Sequence, residues 1–180
     1  MLAQEVDVMK KAVMIIAQKD FRDEELMEPK NILGKNGIEV KVASSSLDIA
    51  LGTLGATAKP DILVNDINVK NFDAVIFVGG AGSSQYWDDP IAHKLAQGAI
   101  SANKVVAAIC IAPVTLARAG ILKGKAATVW ASEGREIEKC GAKYTANPVE
   151  KDGNIITASG PTAAAQFGEE IVRAIKEIGE

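Results

Sequence analysis

Val105-Val106-Ala107-Ala108-Ile109 leads into Cys110, and Ile111-Ala112-Pro113 follows at once. A run of small and β-branched residues of that length reads as a buried strand. Pro113 fits the first turn of a helix, where its missing N–H has no bond to lose. The helix runs over Val114–Ala119, and Gly120 suits the left-handed position past its end. Cys110 then stands at a strand-to-helix corner, beside free N–H groups and the positive end of a helix dipole. That setting is expected to lower the thiol pKa and favour thiolate. A cysteine behind an apolar strand is equally a small buried hydrophobe. Position alone leaves chemistry and packing both open.

Two other groups bear on that thiol. Asp23-Glu24-Glu25 opens a second helical pattern. Beside sulfur, an ionised carboxylate raises the thiol pKa, whereas a protonated one donates a hydrogen bond to thiolate; such a pair needs a raised carboxyl pKa. Taken alone, the acids are a solvated helix start that complements the dipole. Gly79-Gly80 ends another apolar run. Backbone without a Cβ lets N–H groups approach a reacting atom, and with the N–H of Ile111 these glycines can hold an oxyanion. The same glycines also make an ordinary tight turn. Gly79-Gly80-Ala81-Gly82 lacks the spacing of a dinucleotide fingerprint.

The remaining candidates are few. His93 is the one histidine, and it falls in the helix expected after Pro90, a surface or structural place. Trp87 and Trp130 each follow a strand end and either line the pocket, with Gly79, or serve packing or an oligomer contact. Cys140 is a bystander near a helix end. No Cys/His cluster has metal-ligand spacing, so no metal and no other cofactor is expected.

The elements that must position these residues alternate along the chain. Ala12–Ala17, Ile38–Ala43 and Asp73–Val78 read as strands, with Ile62–Val64 a shorter one. Helices are expected over Glu24–Lys35, from Asp89-Pro90 onward with Ile91, Leu95 and Ile100 buried, over 132–140, and over Thr162–Ile178. Pro29 should bend the first helix or make its first turn irregular. Ala126–Trp130 reads as a strand, and Pro148–Thr157 as a hairpin with an Asp152-Gly153 turn. Residues 18–23 and 44–72 are polar or irregular. The alternation predicts a three-layer α/β/α sandwich, flavodoxin-like, with a mostly parallel sheet. Chemistry then gathers at the carboxyl ends of its strands.

Composition narrows the partners. The 180 residues are 48% hydrophobic and 24% charged, with net charge −3. One domain over 11–180 is expected, behind an N-terminal extension over 1–10 in which Met9 is an alternative start. The absence of a basic cluster argues against nucleic acid and anionic membrane. No apolar run approaches the ~20 residues of a membrane span. Two cysteines without scaffold spacing suggest free thiols and a cytoplasmic location.

The combination of motifs resembles the ThiJ/PfpI (DJ) superfamily, with its class I glutamine amidotransferase-like fold. The carriers are Asp23-Glu24-Glu25-Leu26-Met27-Glu28-Pro29, Phe77-Val78-Gly79-Gly80, Ala107-Ala108-Ile109-Cys110 with Pro113, and Thr157-Ala158-Ser159-Gly160-Pro161. The resemblance spans roughly 11–178. It implies a nucleophile elbow at Cys110, with sulfur in place of hydroxyl. Glu25, four residues before Pro29, would sit against the sulfur, and the amides of Gly80 and Ile111 would hold an oxyanion. It also implies homo-oligomers, dimers or larger. One departure matters: the peptidase-like members carry His directly after the cysteine, and here that residue is Ile111. Where some relatives place another His, this chain has Trp130. Without an adjacent base, peptide cleavage is disfavoured. The expected activity is that of a cofactor-independent glyoxalase, deglycase or related hydrolase. It would act on a small reactive carbonyl or a modified protein side chain. The alternatives are an oxidative-stress sensor or chaperone whose cysteine is oxidised, or a binding protein with an inert thiol.

Overall fold

The computed structural model describes residues 8–178. The extension expected over 1–10 lies mostly outside these residues; residues 8–10 have no regular structure. Twelve strands and five α-helices lie among the described residues. Strand β1 is Lys11–Ile15, β2 Lys19–Phe21, β3 Glu39–Ser44, β4 Ala50–Gly52, β5 Thr57–Ala58, β6 Ile62–Leu63, β7 Ala74–Phe77 and β8 Val105–Ile109. Strand β9 is Ala126–Ala127, β10 Lys143–Tyr144, β11 Val149–Asp152 and β12 Ile155–Ala158. Helix α1 is Asp23–Lys35, α2 Pro90–Ser101, α3 Pro113–Arg118, α4 Gly134–Lys139 and α5 Ala164–Ile178.

The central sheet has the order β11-β12-β8-β7-β1-β3-β6 and is parallel except for β11 at its edge. Its inner strands β7 and β8, and β1 from Ala12 on, are apolar without interruption because both faces are covered, whereas β3 and the edge strand β11 carry charged residues. Ala12, Met14, Ala74, Ile76, Val105, Ala107 and Ile109 face one core, which includes Leu26 and Leu33 of α1 and Phe167, Ile171 and Ile175 of α5. Val13, Ile15, Val75, Phe77, Val106 and Ala108 face the other, with Leu95 of α2, Leu116 of α3 and Ile137 of α4. The period-2 alternation of a strand therefore sorts neighbouring residues into opposite layers. Truncating a fully buried residue such as Ile171 to Ala is worth about 2–5 kcal/mol by the usual cavity cost.

Several expectations need correction. Helix α1 runs unbroken through Pro29, which is buried where α1 meets α5. A Cβ on Gly168 would come within 2.9 Å of Pro29 Cα, so the two helix backbones approach closely there. The polar stretch 18–23 contains β2, which pairs with β4, itself paired with β5, in a small second sheet. The buried stripe of α2 is Ala92, Leu95, Ala96 and Ala99, with Ile91 and Ile100 only partly buried beside it. Asp89 caps that helix through Ile91 N–H at 3.0 Å. In the β11–β12 hairpin Asp152 pairs with Ile155, so the two loop residues are Gly153-Asn154 rather than Asp152-Gly153. Gly153 takes the positive φ, +60°, that this tight turn requires. The strand after α3 shrinks to β9, and the last helix begins at Ala164 behind a short 3-10 turn over Pro161–Ala163.

Candidate active site

Strands β1, β7 and β8 are adjacent, with Ile15 level with Phe77 and Phe77 level with Ala108. Their carboxyl ends therefore open at one edge. From β1 the chain passes through β2 into α1 and delivers Glu25; β7 delivers Gly79-Gly80; β8 delivers Cys110.

Cys110 has φ +64°, a left-handed conformation that non-glycine residues adopt at a cost of roughly 1–2 kcal/mol. Two backbone bonds hold it there: its N–H donates to Ala158 O at 2.9 Å, and its carbonyl accepts from Trp130 N–H at 2.8 Å. The corner turns the side chain off the strand line, partly exposed. The N–H groups of Gly80 and Ile111 face the sulfur.

Glu25 lies in the first turn of α1 and is fully buried, 0% exposed. Among the described residues neither carboxyl oxygen has a partner at full hydrogen-bond geometry. The polar groups turned toward it are the Cys110 thiol and the Gly79 N–H. Gly79 separates the two: a Cβ there would collide with Glu25 Oε2 and sit 2.5 Å from Cys110 Cβ. Gly80 has φ +98°, and a Cβ on it would lie 2.7 Å from the carbonyl carbon of Phe21. Arg22 N–H donates to Gly79 O at 2.9 Å, tying the start of α1 to the glycine corner.

The two neighbouring acids have opposite fates. Glu24 points outward, bonds Arg22 at 2.8 and 3.1 Å, and is held below the usual carboxylate range by that guanidinium. Burial pushes Glu25 up to about 8, only partly offset by the Cys110 thiol and the Gly79 N–H. The raised carboxyl that a Glu25–Cys110 pair requires is therefore present. The lowered thiol is not. Burial first, and then the charge of Glu25, push Cys110 up to about 12, against the pull of the Gly80 and Ile111 N–H groups. Helix α3, of six residues, begins only at Pro113, and desolvation of the sulfur outweighs its end. The two groups titrate as one unit: a first proton leaves the pair far more readily than a second, because two charges cannot share this buried space.

The other candidates are also accounted for. Trp130 is 47% exposed and lies on Gly160, where a Cβ would come within 2.8 Å of its ring. It flanks the elbow through its backbone bond to Cys110. Trp87 donates from Nε1 to Ile111 O at 3.1 Å. His93 Nε2 bonds the Trp87 carbonyl at 2.7 Å, a structural place. Cys140 follows α4, away from the elbow. Two roles were missed in the sequence. Buried Asp23 accepts from the N–H groups of Leu54 and Ala56, at 3.1 and 2.8 Å, and so anchors the β4–β5 turn to α1. The 3-10 turn over Ala81–Tyr86 reads as a polar loop, yet buries Ser83 and Tyr86. The Tyr86 hydroxyl, and the Trp87 indole just after the turn, bond distant carbonyls, which local spacing does not reveal.

The sequence profile of the DJ-1/PfpI family matches residues 10–174. The chain belongs to the DJ-1/PfpI family. An uncharacterized protein of Methanocaldococcus jannaschii is 44% identical over 173 residues, 94% of this chain and 84% of that protein. The crystal structure of a ThiJ/PfpI domain protein from Brachyspira murdochii superposes with a TM-score of 0.91 at 32% identity, covering 93% of this chain and 96% of that one. Two relatives carry named activities at 27% identity. They are the glutathione-independent glyoxalase DJR-1.2 of Caenorhabditis elegans, covering 93% of this chain and 89% of that protein, and the deglycase PfpI of Pyrococcus furiosus, covering 91% and 99%. The flavodoxin-like sandwich expected from the sequence is the fold found.

Proposed function

We propose that the chain is a cofactor-independent enzyme of the glyoxalase or deglycase type, with Cys110 as nucleophile and Glu25 as proton carrier. The observation that carries this reading is the buried, proton-retaining carboxyl of Glu25 set against a cysteine at a left-handed corner. The activities named for two relatives support the substrate class.

The chemistry starts from the pair with one proton removed. Sulfur forms a bond to the aldehyde carbon of a 2-oxoaldehyde while any thiol proton passes to the Glu25 carboxylate. The former carbonyl oxygen takes the negative charge under the Gly80 and Ile111 N–H groups, then takes a proton from Glu25. Glu25 next carries the hydrogen of the sulfur-bearing carbon to its neighbour, while the hydroxyl proton passes to the former ketone oxygen. The aldehyde carbon is oxidised to a thioester and the ketone reduced to an alcohol, with no outside oxidant. Water cleaves the thioester to a 2-hydroxy acid and frees the thiol. For a hemiaminal or hemithioacetal on a side chain, the carbon–nitrogen or carbon–sulfur bond breaks first, Glu25 passing the hydroxyl proton to the departing amine or thiol, and the 2-oxoaldehyde so freed follows the same course. A carboxyl poised near 8 suits both halves of this proton traffic. Peptide cleavage is not part of the reading, since Ile111 supplies no base.

Turnover of methylglyoxal and of a glycated thiol by the purified protein tests the reading. Turnover is expected, and loss of it in Cys110→Ala. Absent turnover, or turnover undiminished in that variant, overturns it.

A homo-oligomer completes the reading. Ile49, Leu51 and Leu54, in and beside β4, are 61%, 51% and 62% exposed, and Met27 of α1 is also exposed. Apolar side chains gathered on and beside a small sheet fit a second copy of the chain. Among the described residues no helix is long and apolar enough to cross a membrane.

A further inference from the structure

The segment from Ala81 to Trp87 holds the backbone at both residues whose N–H groups face Cys110. Gly80 and Ile111 each present an N–H to the sulfur, and each has its own carbonyl, one peptide unit further along the chain, fixed by a side chain of this segment. Ser83 Oγ donates to Gly80 O at 2.8 Å, beside the Ser83 N–H at 3.0 Å. Trp87 Nε1 donates to Ile111 O at 3.1 Å, beside the Val114 N–H at 3.2 Å.

Neither donor is free to wander. Ser83 is 2% exposed. The Arg118 guanidinium stacks on the Trp87 ring at 5.1 Å and is itself bonded to Asp88 at 2.6 Å and Glu136 at 3.1 Å. Tyr86 Oη donates to Ile16 O at 2.8 Å and pins the segment to the end of β1.

We propose that Ser83 and Trp87 are a pair of positioning residues: by fixing the peptide unit just beyond the Gly80 and Ile111 N–H groups, they limit rotation at these two residues and keep both N–H groups aimed at one oxyanion above Cys110. This rests on the reading of Cys110 as a nucleophile toward carbonyls. An oxyanion needs two donors converging on one point, and a small drift of either weakens both bonds. A segment that touches both residues keeps their separation fixed. Neither side chain touches the reacting atoms.

Trp87→Phe keeps an aromatic ring near Arg118 and removes the N–H together with part of the indole, a packing loss that the alkylation control reads; Ser83→Ala removes only the hydroxyl. Each is compared with wild type in methylglyoxal turnover and in alkylation of Cys110 by iodoacetamide, a reaction that builds no oxyanion. The expected result is a kcat lowered about three- to tenfold in each variant, the worth of one hydrogen bond. KM stays within twofold, and alkylation falls by less than turnover does. Unchanged kcat in both variants overturns the proposal. So does equal slowing of turnover and alkylation, which would mark general loosening of the corner. Should one variant fail to fold, the other gives the same reading. A wild type that alkylates but does not turn over methylglyoxal would instead bring down the catalytic reading itself.

Discussion

Glu25 and Cys110 meet across Gly79, the one residue between them small enough to let a buried carboxyl reach the side of a thiol. A Cβ there would overlap Glu25 Oε2 and crowd Cys110 Cβ at 2.5 Å. The three residues come from α1, the end of β7 and the end of β8, so the contact exists only because β1, β7 and β8 are neighbours.

Gly79→Ala is expected to force these groups apart. Overpacking of a tight interior typically costs about 1–3 kcal/mol. Methylglyoxal turnover should fall at least tenfold, with a lowered melting temperature measured alongside. Full activity in a folded Gly79→Ala protein would place the reacting groups elsewhere.

Turnover should rise with pH through about 8. Burial raises the Glu25 carboxyl to about 8, and the pair is active after losing its first proton. Below that pH both groups hold protons and sulfur attacks slowly. A kcat/KM profile that is flat from pH 6 to 9 would be inconsistent with this.

Glu25→Gln separates activity from stability. Turnover should fall roughly 10²–10⁴-fold, the usual share of a positioned proton carrier. Stability should move the other way at high pH. The folded carboxyl holds its proton more tightly than the unfolded one, ordinarily near 4.5, so the wild type loses stability as pH rises from about 4.5 through about 8. The Gln variant lacks that loss. Urea unfolding should show the two alike near pH 4, with the variant ahead by a few kcal/mol at pH 9. A constant difference across that range would mean that Glu25 titrates normally.

Charging the exposed apolar patch on and beside β4 tests the assembly. Ile49→Asp with Leu51→Asp should leave the fold intact and yield monomer in light scattering, where the wild type is expected to give at least a dimer. The same mass for both would direct the interface elsewhere.

The centre of the sheet was legible in the sequence because its inner strands are covered on both faces and so read as unbroken apolar runs, as at Ala12–Ile16 and Val105–Ile109. The short strands β2, β4, β5 and β10 were not, and β9 was read as longer than it is. Two or three residues carry no period, and β2 pairs with β4 across thirty residues of chain. At the site, Cys110 could be read from the apolar run that stops at it. The acid beside it could be picked from Asp23-Glu24-Glu25 only by resemblance, since spacing does not say that Arg22 draws Glu24 outward while Glu25 turns in. The thiol pKa was misjudged for a physical reason: a helix end is visible in sequence, whereas desolvation of a sulfur is a property of packing.

The rate of Cys110 alkylation as a function of pH, in wild type and in Glu25→Gln, tests the central claim most directly. Cys140 in the same molecule serves as reference. In the wild type the pair sheds its first proton near 8, and Cys110 reactivity should follow that step. With Gln at 25 the sulfur must ionise alone in a buried place, so the midpoint should move upward. It should stay below the value of about 12 set when Glu25 is also charged. An identical midpoint in the two proteins, or a Cys110 profile that coincides with that of Cys140, would contradict a coupled thiol–carboxyl pair.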